Sequence, residues 1–169
     1  AVFFNSTWLK CLTPAYNGLA GGSTSVCVSN NGVDCSVTQA QFRYLSPYKI
    51  VSIHPPLGPS SGNTLVRVTG EKFINTSEAL CSFGNVTASA SFLSDSELEC
   101  ISPPYLLSEG VVSLDISFTG SEFSLSGKNF SYYVRPTVTG IHPRSIPANW
   151  DRESKVMVDG ANFLHSDLL

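Results

Sequence analysis

The chain contains 169 residues, of which 42% are hydrophobic and 14% are charged, and its formal net charge is −3. Its basic residues are scattered without a run, which argues against nucleic acid as a partner because nucleic-acid binding needs a clustered basic face. No apolar stretch approaches the roughly 18 residues that a membrane span needs, so we expect no direct membrane insertion within this sequence.

Residues 1–48 contain a candidate hairpin closed by two cysteines. In the segment CVSNNGVDC, a three-residue loop at 30–32 separates two short arms, and Gly32 supplies the positive φ that such a loop requires. This geometry sets Cys27 directly opposite Cys35. We therefore predict a disulfide between them.

The following stretch, residues 49–135, alternates short apolar segments with turn residues, which is typical of a β-sandwich. Its clearest strand is VVSLDISF, residues 111–118, in which successive side chains alternate between two faces. The core-facing set is predicted to be Val112, Leu114, Ile116 and Phe118, and the solvent-facing set Ser113, Asp115 and Ser117. The other predicted strands are IVSI, TLVRVTG, ALCSFG, ELECISPP and NFSYYV.

Residues 136–169 repeat the beginning of that middle stretch and indicate a tandem array. Anchor residues recur at spacings of 88 to 90; the pairs are Cys11 and Cys100, Phe42 and Phe130, Tyr44 and Tyr132, His54 and His142, Gly70 and Gly160, and Phe73 and Phe163. We predict the later part of a first unit at 1–48, a complete second unit at 49–135 and the beginning of a third at 136–169. Both ends fall within one stretch of the repeat, so we expect an excerpt from a longer protein.

Six motifs follow one another along the middle unit: Ile-x-Pro, Gly-Pro-x-x-Gly-Asn-Thr, Val-x-Gly-x-x-Phe, Cys-x-Phe-Gly, Leu-x-Cys-x-x-Pro-Pro and Phe-x-Tyr. As a series they resemble the IPT/TIG family, whose members occur in plexins and other large surface proteins. The resemblance implies an all-β fold of tandem immunoglobulin-like β-sandwiches, here one complete and two partial units. The third unit departs from the pattern, because RSIPANWDRESK replaces the Gly-Pro-x-x-Gly-Asn-Thr turn, and we expect its first loop to be longer.

The remaining cysteines follow the repeat. Cys81 and Cys100 lie 19 residues apart on two predicted strands of the middle unit, and the resemblance implies a disulfide between these positions. Cys11 is the first unit's counterpart of Cys100, so we expect its partner to lie upstream of this sequence. Structural disulfides of this kind belong to oxidising compartments.

Four Asn-x-Ser/Thr sequons stand at predicted surface positions, namely Asn5, Asn75, Asn85 and Asn129. We predict these four asparagines as N-glycosylation sites. Together with the disulfides they indicate an extracellular or cell-surface location, reached through the secretory pathway. N-linked glycans are therefore expected, and no other cofactor.

Residues with catalytic or metal-binding potential do not assemble into a site in the sequence. His54 and His142 lie in successive units, and each is interpreted as a linker residue packed on the adjoining proline, with a pH-sensitive junction as the alternative. In the triad-like segment 165–167, adjacent side chains of an extended chain point in opposite directions. The acidic segment SDSELE, residues 94–99, lacks the glycine turn of a calcium loop and is typical of a solvated strand face. We predict no enzyme and no metal site.

The sequence favours a non-enzymatic extracellular module with a structural or adhesive role. Short proline-bearing seams leave few free residues between units, so we expect a stiff stalk or surface filament that contacts other protein domains or copies of the same chain. The alternative is a carbohydrate-binding or accessory module of a large extracellular enzyme, which a ring of aromatics on one face would favour. The DNA-binding use of this fold in Rel-type factors is disfavoured by the cysteines, the sequons and the acidic balance.

Overall fold

The computed structural model describes residues 1–16, 21–125, 127–148 and 153–165. These residues form fourteen β-strands and no helix, which confirms the predicted all-β class. In the same part of the chain there is accordingly no helix long and apolar enough to cross a membrane. The chain divides into two compact units, residues 1–48 and residues 49–169.

Residues 1–48 form two antiparallel hairpins. Strands β1 (Val2–Asn5) and β2 (Trp8–Lys10) pair across a tight turn, whereas β3 (Gly22–Val26) and β4 (Ala40–Tyr44) pair across a longer loop. Among the described residues of this unit, neither hairpin pairs with a third strand.

The next eight strands form one hydrogen-bonded ladder that folds into two layers. They are β5 (Lys49–His54), β6 (Leu57–Pro59), β7 (Leu65–Glu71), β8 (Leu80–Phe83), β9 (Val86–Phe92), β10 (Glu97–Ile101), β11 (Gly110–Ser117) and β12 (Lys128–Tyr133), hydrogen-bonded in the order β5-β7-β10-β9-β8-β11-β12-β6. The layers separate within β9, because its first half pairs with β8 and its second half with β10. The chain also changes layer between β5, which pairs with β7, and β6, which pairs with β12. The result is an immunoglobulin-like sandwich.

The core of this sandwich lies between the layers and takes alternate side chains from each strand. Fully buried examples are Val66 and Val68 on β7, Leu98 on β10, and Leu114 and Ile116 on β11. Alternation of apolar and polar residues places one face of each strand inward, as the sequence pattern predicts. Burial of one such side chain contributes about 1.5 to 3 kcal/mol to the stability of the fold.

One residue of β11 contradicts the predicted alternation. Ser117 was expected to face solvent, but it is fully buried. The chain after β11 folds back, so that Ser117 forms a bridge with Phe123 and the backbone N–H of Ser124 donates to the carbonyl of Ile116 at 2.8 Å. The Ser117 hydroxyl accepts a hydrogen bond from the N–H of Thr119 at 3.2 Å, which satisfies the buried group.

The remaining strands, β13 (Thr137–His142) and β14 (Met157–Ala161), form a hairpin that repeats the pairing of β5 and β7. In both hairpins the register shifts by one residue at the same place, between Ile50 and Ser52 in the first and between Val138 and Gly140 in the second. The predicted longer first loop is present, since fourteen residues separate β13 from β14 and ten separate β5 from β7.

The repeated Gly-x-x-Phe motif has a steric explanation in both hairpins. A Cβ on Gly70 would meet the ring of Phe73 and a backbone oxygen of the paired strand. Gly160 stands in the same relation to Phe163 and to its own paired strand. Glycine is therefore the residue that allows the phenylalanine ring to lie against the strand.

Candidate functional site

The histidines stand at separate strand ends. His54 ends β5 and His142 ends β13; both are exposed, and each precedes a cis peptide bond to proline. His165 is also exposed, whereas Ser166 and Asp167 lie outside the described residues. Across the described part of the chain, no group of three or more His, Cys, Asp or Glu side chains is placed to hold a metal ion.

The acidic segment 94–99 carries an ion pair on the surface of the sandwich. Glu99 on β10 accepts a hydrogen bond from its cross-strand neighbour Arg67 on β7 at 2.9 Å. This hydrogen bond, followed by the nearby charge of Glu97, raises the pKa of the Arg67 guanidinium. Asp95 takes part through its backbone, since its carbonyl accepts the N–H of Phe73 at 2.8 Å. The segment therefore belongs to an inner strand whose outward face carries a solvated charge pair.

A disulfide joins the two layers of the middle unit. Cys81 lies on β8 and Cys100 on β10, both are buried, and their Cα atoms are 6.3 Å apart. Because β8 and β10 pair with different halves of β9, the bond crosses between the layers. Closing a loop of this length stabilises a fold by about 3 kcal/mol in the chain-entropy account.

A second disulfide closes the loop between β3 and β4. Cys27 and Cys35 are bonded, with their Cα atoms 5.6 Å apart. The predicted hairpin is wrong in form, because residues 27–39 contain no strand. Instead, the loop wraps around the side chain of Asn31, whose Oδ1 accepts two backbone N–H groups at 2.9 and 3.0 Å. One backbone hydrogen bond joins the two arms, from the N–H of Ser36 to the carbonyl of Val28 at 2.9 Å. Gly32 has the predicted positive φ, at 78°.

Cys11 and the sequon asparagines are all exposed. Cys11 follows β2 and is the one free cysteine among the described residues, and a partner upstream of the sequence stays a prediction. The four sequon positions are Asn5, Asn75, Asn85 and Asn129. At Asn5, the side-chain Oδ1 accepts the backbone N–H and the hydroxyl of Thr7, the third residue of its sequon, at 2.9 and 2.8 Å. Exposure is what glycan attachment requires, and attachment itself stays a prediction.

The same aromatic arrangement occurs in the first unit and in the middle unit. Tyr16 stacks on Tyr44 with ring centroids 4.6 Å apart, and Tyr105 stacks on Tyr132 at 4.7 Å. The hydroxyls of Tyr44 and Tyr132 each donate to a proline carbonyl, at 3.1 and 2.9 Å. In the complete sandwich, burial and secondarily the neighbouring Tyr105 raise the pKa of Tyr132 to about 12.

The strand registers extend this correspondence. β3 pairs with β4 as β11 pairs with β12, which puts Phe42 in the place of Phe130. β1 pairs with β2 as β9 pairs with β10, which puts Leu9 in the place of Leu98. Residues 1–48 therefore carry counterparts of β9 to β12, and the last hairpin carries counterparts of β5 and β7.

Residues 1–48 and the hairpin of β13 and β14 leave exposed the apolar positions that are buried at the equivalent places in the sandwich of β5 to β12. Phe42 is 38% exposed where Phe130 is 0% exposed, and Val158 is 48% exposed where Val68 is 0% exposed. We define the first-unit face as Leu9, Val26 and Phe42, and the third-unit face as Val156, Val158 and Phe163. The side chains at the equivalent positions of the complete unit belong to its core.

A short, hydrogen-bonded seam connects β12 to β13. It consists of residues 134–136, and the guanidinium of Arg135 donates to the hydroxyl of Ser61 at 3.3 Å. On the other side, the amide of Asn162 donates to the carbonyl of Arg135 at 3.4 Å. Beside the seam lies an apolar groove of about 540 Å³, lined by Leu57, Tyr133, Pro136, Val158, Asn162, Phe163 and Leu164.

Comparison with known proteins gives a consistent picture. The family model of the IPT/TIG domain matches residues 47–132. The extracellular region of plexin A4, domains 1 to 10, is similar over 77% of this chain with 20% sequence identity and a TM-score of 0.53. Another structure of that region, with domains 1 to 8, is similar over 70% with 19% identity and a TM-score of 0.48. This chain spans 11% of the length of each plexin chain, and likeness at this identity concerns the fold.

Proposed function

The chain belongs to the IPT/TIG domain family, and from that premise we propose that it is a non-enzymatic extracellular module with a structural and adhesive role. An IPT/TIG domain of this type is a protein-interaction module. In the proposed role, tandem units form a stiff stalk or surface filament that contacts other protein domains or further copies of the same chain.

The seam between β12 and β13 is the observation that carries this proposal. Three linking residues leave little freedom, and Arg135 is hydrogen-bonded on one side to the middle unit and on the other to the end of the last hairpin. A linker held on both sides transmits the orientation of one unit to the next. Stiffness along the chain is what a stalk or filament requires.

The repeat supports a division into three units, at 1–48, 49–135 and 136–169. Strand pairing in the first segment follows the second half of the middle unit, and pairing in the last segment follows its first half. The fold neighbours, plexin extracellular domains, are consistent with an arrangement of successive domains.

Disulfides and exposed sequons support the extracellular location. Cys81–Cys100 lies in the core of the sandwich, and structural disulfides of this kind are typical of oxidising compartments. The four exposed sequon asparagines are available to the glycosylation machinery of the secretory pathway. The proposal therefore includes N-linked glycans as the covalent additions to this chain.

The carbohydrate-binding alternative receives less support from the middle unit. Its aromatic rings are occupied inside the fold, as in the contact of Phe83 with Phe130 and the stack of Tyr105 on Tyr132. A sugar ring stacks on an exposed aromatic face, so buried rings do not provide such a platform.

Spin-label distances across the seam test the proposed stiffness. Nitroxide labels are placed on Val111→Cys in β11 and Lys155→Cys before β14, both at exposed positions, in a Cys11→Ser background. Pulsed electron resonance is expected to give one narrow distance distribution. Replacing Arg135 and Asn162 together by Ala is expected to broaden it.

The matched control is Arg144→Ala, an exposed arginine beyond β13, which is expected to leave the distribution narrow. A broad distribution in the chain with an intact seam would contradict the stalk. So would a distribution that stays narrow without the two hydrogen-bonding side chains, because the seam would then not set the orientation.

A further inference from the structure

We propose that Asn5 carries an N-linked glycan whose first sugar lies against the exposed aromatic pair of Phe4 and Trp8, so that this sugar is part of the folded β1–β2 turn. The inference deepens the proposed function and rests on it, because it takes one of the four predicted glycosylation sites and names the surface that holds its glycan. The ligand of the aromatic pair is thus a saccharide attached to the same chain.

The β1–β2 turn holds the side chain of Asn5 in one place. Asn5 and Trp8 are register partners on either side of the turn, and Phe4 is the extra residue at the register shift. The Oδ1 of Asn5 accepts the backbone N–H of Thr7 at 2.9 Å and its hydroxyl at 2.8 Å. Within the part of the chain that the structure describes, the Nδ2 of Asn5 makes no hydrogen bond. The carboxamide is therefore fixed by its oxygen, and the nitrogen is left for glycan attachment.

The aromatic pair lies beside that carboxamide. The ring centroids of Phe4 and Trp8 are 4.6 Å apart and the rings are inclined at 54°. Phe4 is 53% exposed and Trp8 is 59% exposed. Directly opposite residues of an antiparallel pair have Cβ atoms about 4.5 to 5.5 Å apart on one face of the sheet. The pairing of Asn5 with Trp8 therefore puts the indole next to the attachment point.

The complete sandwich contains the same turn between β9 and β10. There the N–H of Ser94 donates to the carbonyl of Glu97 at 3.0 Å, and the N–H of Glu97 donates to the carbonyl of Ser94 at 3.4 Å. Ser94 and Glu97 follow Asn5 and Trp8 by 89 residues, which is the spacing of the repeat. The exposure of the aromatic pair can therefore be judged from a unit that has both of its layers.

Phe4 and Trp8 occupy positions that face solvent in that complete unit. Leu93, at the place of Phe4, is 46% exposed in the complete sandwich. Glu97, at the place of Trp8, alternates with the buried Leu98 and so stands on the outer side of β10. The middle unit, which has serine in place of the sequon asparagine, also lacks both rings at these positions. The attachment site and the two rings thus occur together in one copy of the turn and are absent together from the other.

The other three sequons lack a comparable surface. The aromatic residues within two positions of Asn75, Asn85 and Asn129 are buried in the core of the sandwich, namely Phe73, Phe83 and Phe130. Glycans on those asparagines would extend from the surface without an exposed ring beside them. Asn5 is therefore the site at which the chain can fix the orientation of a glycan.

The contact has a simple chemical basis. One face of a pyranose ring consists of C–H groups, and this face packs on an aromatic ring while the hydroxyl groups remain in water. Packing removes apolar surface of both partners from water, which favours the contact. Attachment to Asn5 also gives the sugar a high effective concentration at the rings. The pair can therefore hold an attached sugar without binding free carbohydrate.

Quenching of Trp8 fluorescence by acrylamide tests the contact. The chain is secreted from a eukaryotic host in a Cys11→Ser background, and Trp150→Phe leaves Trp8 as its one tryptophan. An endoglycosidase then trims each glycan to a single N-acetylglucosamine. Because a sugar over the pair covers about half of the accessible indole surface, the quenching constant is expected to be about twofold lower than in the Asn5→Ser variant.

Two matched variants make this comparison specific. Asn5→Ser introduces the residue that the middle unit carries in the same turn, where the N–H of Ser96 donates to the Oγ of Ser94 at 3.3 Å, so the turn is expected to be kept. Asn85→Gln removes a sequon that has no exposed ring beside it and is expected to leave the quenching constant of Trp8 unchanged.

Hydrogen exchange of the β1–β2 amides tests whether the sugar is part of the fold. Exchange is expected to be about threefold to tenfold slower in the trimmed chain than in Asn5→Ser. Phe4→Leu with Trp8→Glu keeps the sequon and introduces the residues of the complete unit, which form this turn there. In that background the sugar is expected to slow exchange by less than about twofold, because the ring contact is gone.

Each result decides the proposal. Peptide mass spectrometry that finds Asn5 without a glycan overturns it, and glycans at the other sequons would then leave the extracellular proposal standing. A secreted chain with no occupied sequon contradicts the glycans of the proposed function as well. Equal quenching with and without the sugar, or equal slowing of exchange without the two rings, overturns the assigned surface. Protection of Trp8 in Asn5→Ser by free diacetylchitobiose also overturns it, in favour of the carbohydrate-binding alternative.

Discussion

The hairpins β5–β7 and β13–β14 have one local structure in two settings. Both have the same register and register shift, and both place a left-handed residue after the second strand, Lys72 with φ of 60° and Asn162 with φ of 62°. They differ in burial, since Val68 is inside a sandwich and Val158 is exposed. Because pairing and turn are alike with or without a covering layer, they are set by local sequence. Burial depends on the other half of the fold.

Removing the phenylalanine of the Gly-x-x-Phe motif tests this difference most strongly. Phe73→Ala is expected to lower the free energy of unfolding of the middle unit by about 3 to 5 kcal/mol, because it opens a cavity in a closed core. Phe163→Ala is expected to lower the free energy of unfolding of the chain by less than about 1 kcal/mol, because the Phe163 ring is half exposed. Urea unfolding followed by circular dichroism measures both.

The measurement is made at concentrations where the chain sediments as a single molecule. Equal losses from the two substitutions would show that Phe163 is covered in the isolated chain. The difference in burial between the two hairpins would then be wrong.

The two disulfides give the next largest contrast. Cys81→Ala with Cys100→Ala is expected to lower the free energy of unfolding of the middle unit by about 3 kcal/mol, because the unfolded chain loses a loop closure and the layers lose their covalent link. Cys27→Ser with Cys35→Ser changes a loop outside that unit. The unfolding transition of the middle unit is therefore expected to be unchanged in this double variant. A shift as large as that caused by Cys81→Ala with Cys100→Ala would refute the placement of the second disulfide outside the middle unit.

Local signals account for the part of the fold that the sequence predicts well. The strands around Val66 and Leu114 alternate apolar and polar residues, and both are found as predicted. Repeated anchors such as Gly70 and Gly160 mark sterically required positions, so they survive in a diverged copy. The family and the fold class follow from such anchors because each one has a local physical cause.

Tertiary effects account for what the sequence does not predict. Strand β9, with the sequence VTASASF, was not identified because Ala and Ser have weak strand preference, and it is held by pairing on both sides. Ser117 is buried by a returning loop that the pattern does not reveal. The exposed faces were also not predicted, because alternation marks a residue as core-facing whether or not a second layer is present.

Alkaline pH tests the burial of Tyr132 in the complete sandwich. The pKa of Tyr132 is raised to about 12 in the folded sandwich, above its ordinary value near 10, so the folded state favours the neutral phenol. The stabilisation is fully present below pH 10 and is lost as the pH rises from about 10 towards 12. Urea midpoints of the middle unit measured across this range are expected to fall.

Tyr132→Phe is the control for this titration. The substitution removes the hydrogen bond to the carbonyl of Pro103, at a cost of about 1 kcal/mol at neutral pH. It is also expected to remove the fall of the urea midpoint at alkaline pH. Tyr44→Phe in the first unit is expected to leave the fall of the middle unit's urea midpoint at alkaline pH unchanged. A decline that persists in Tyr132→Phe would assign the effect to another group.

The smallest expected effect concerns the ion pair of β7 and β10. Glu99→Gln is expected to lower the free energy of unfolding by less than about 1 kcal/mol, and by still less in high salt, because the pair is exposed. The repeat itself supports this small value, since Met157 stands in the last hairpin at the position of Arg67, so that hairpin does not repeat the pair. Leu98→Ala, at the adjacent buried position, is expected to cost about 2 to 5 kcal/mol in the same assay. A larger loss from Glu99→Gln than from Leu98→Ala would mean that the ion pair, and not the buried apolar face, holds these strands together.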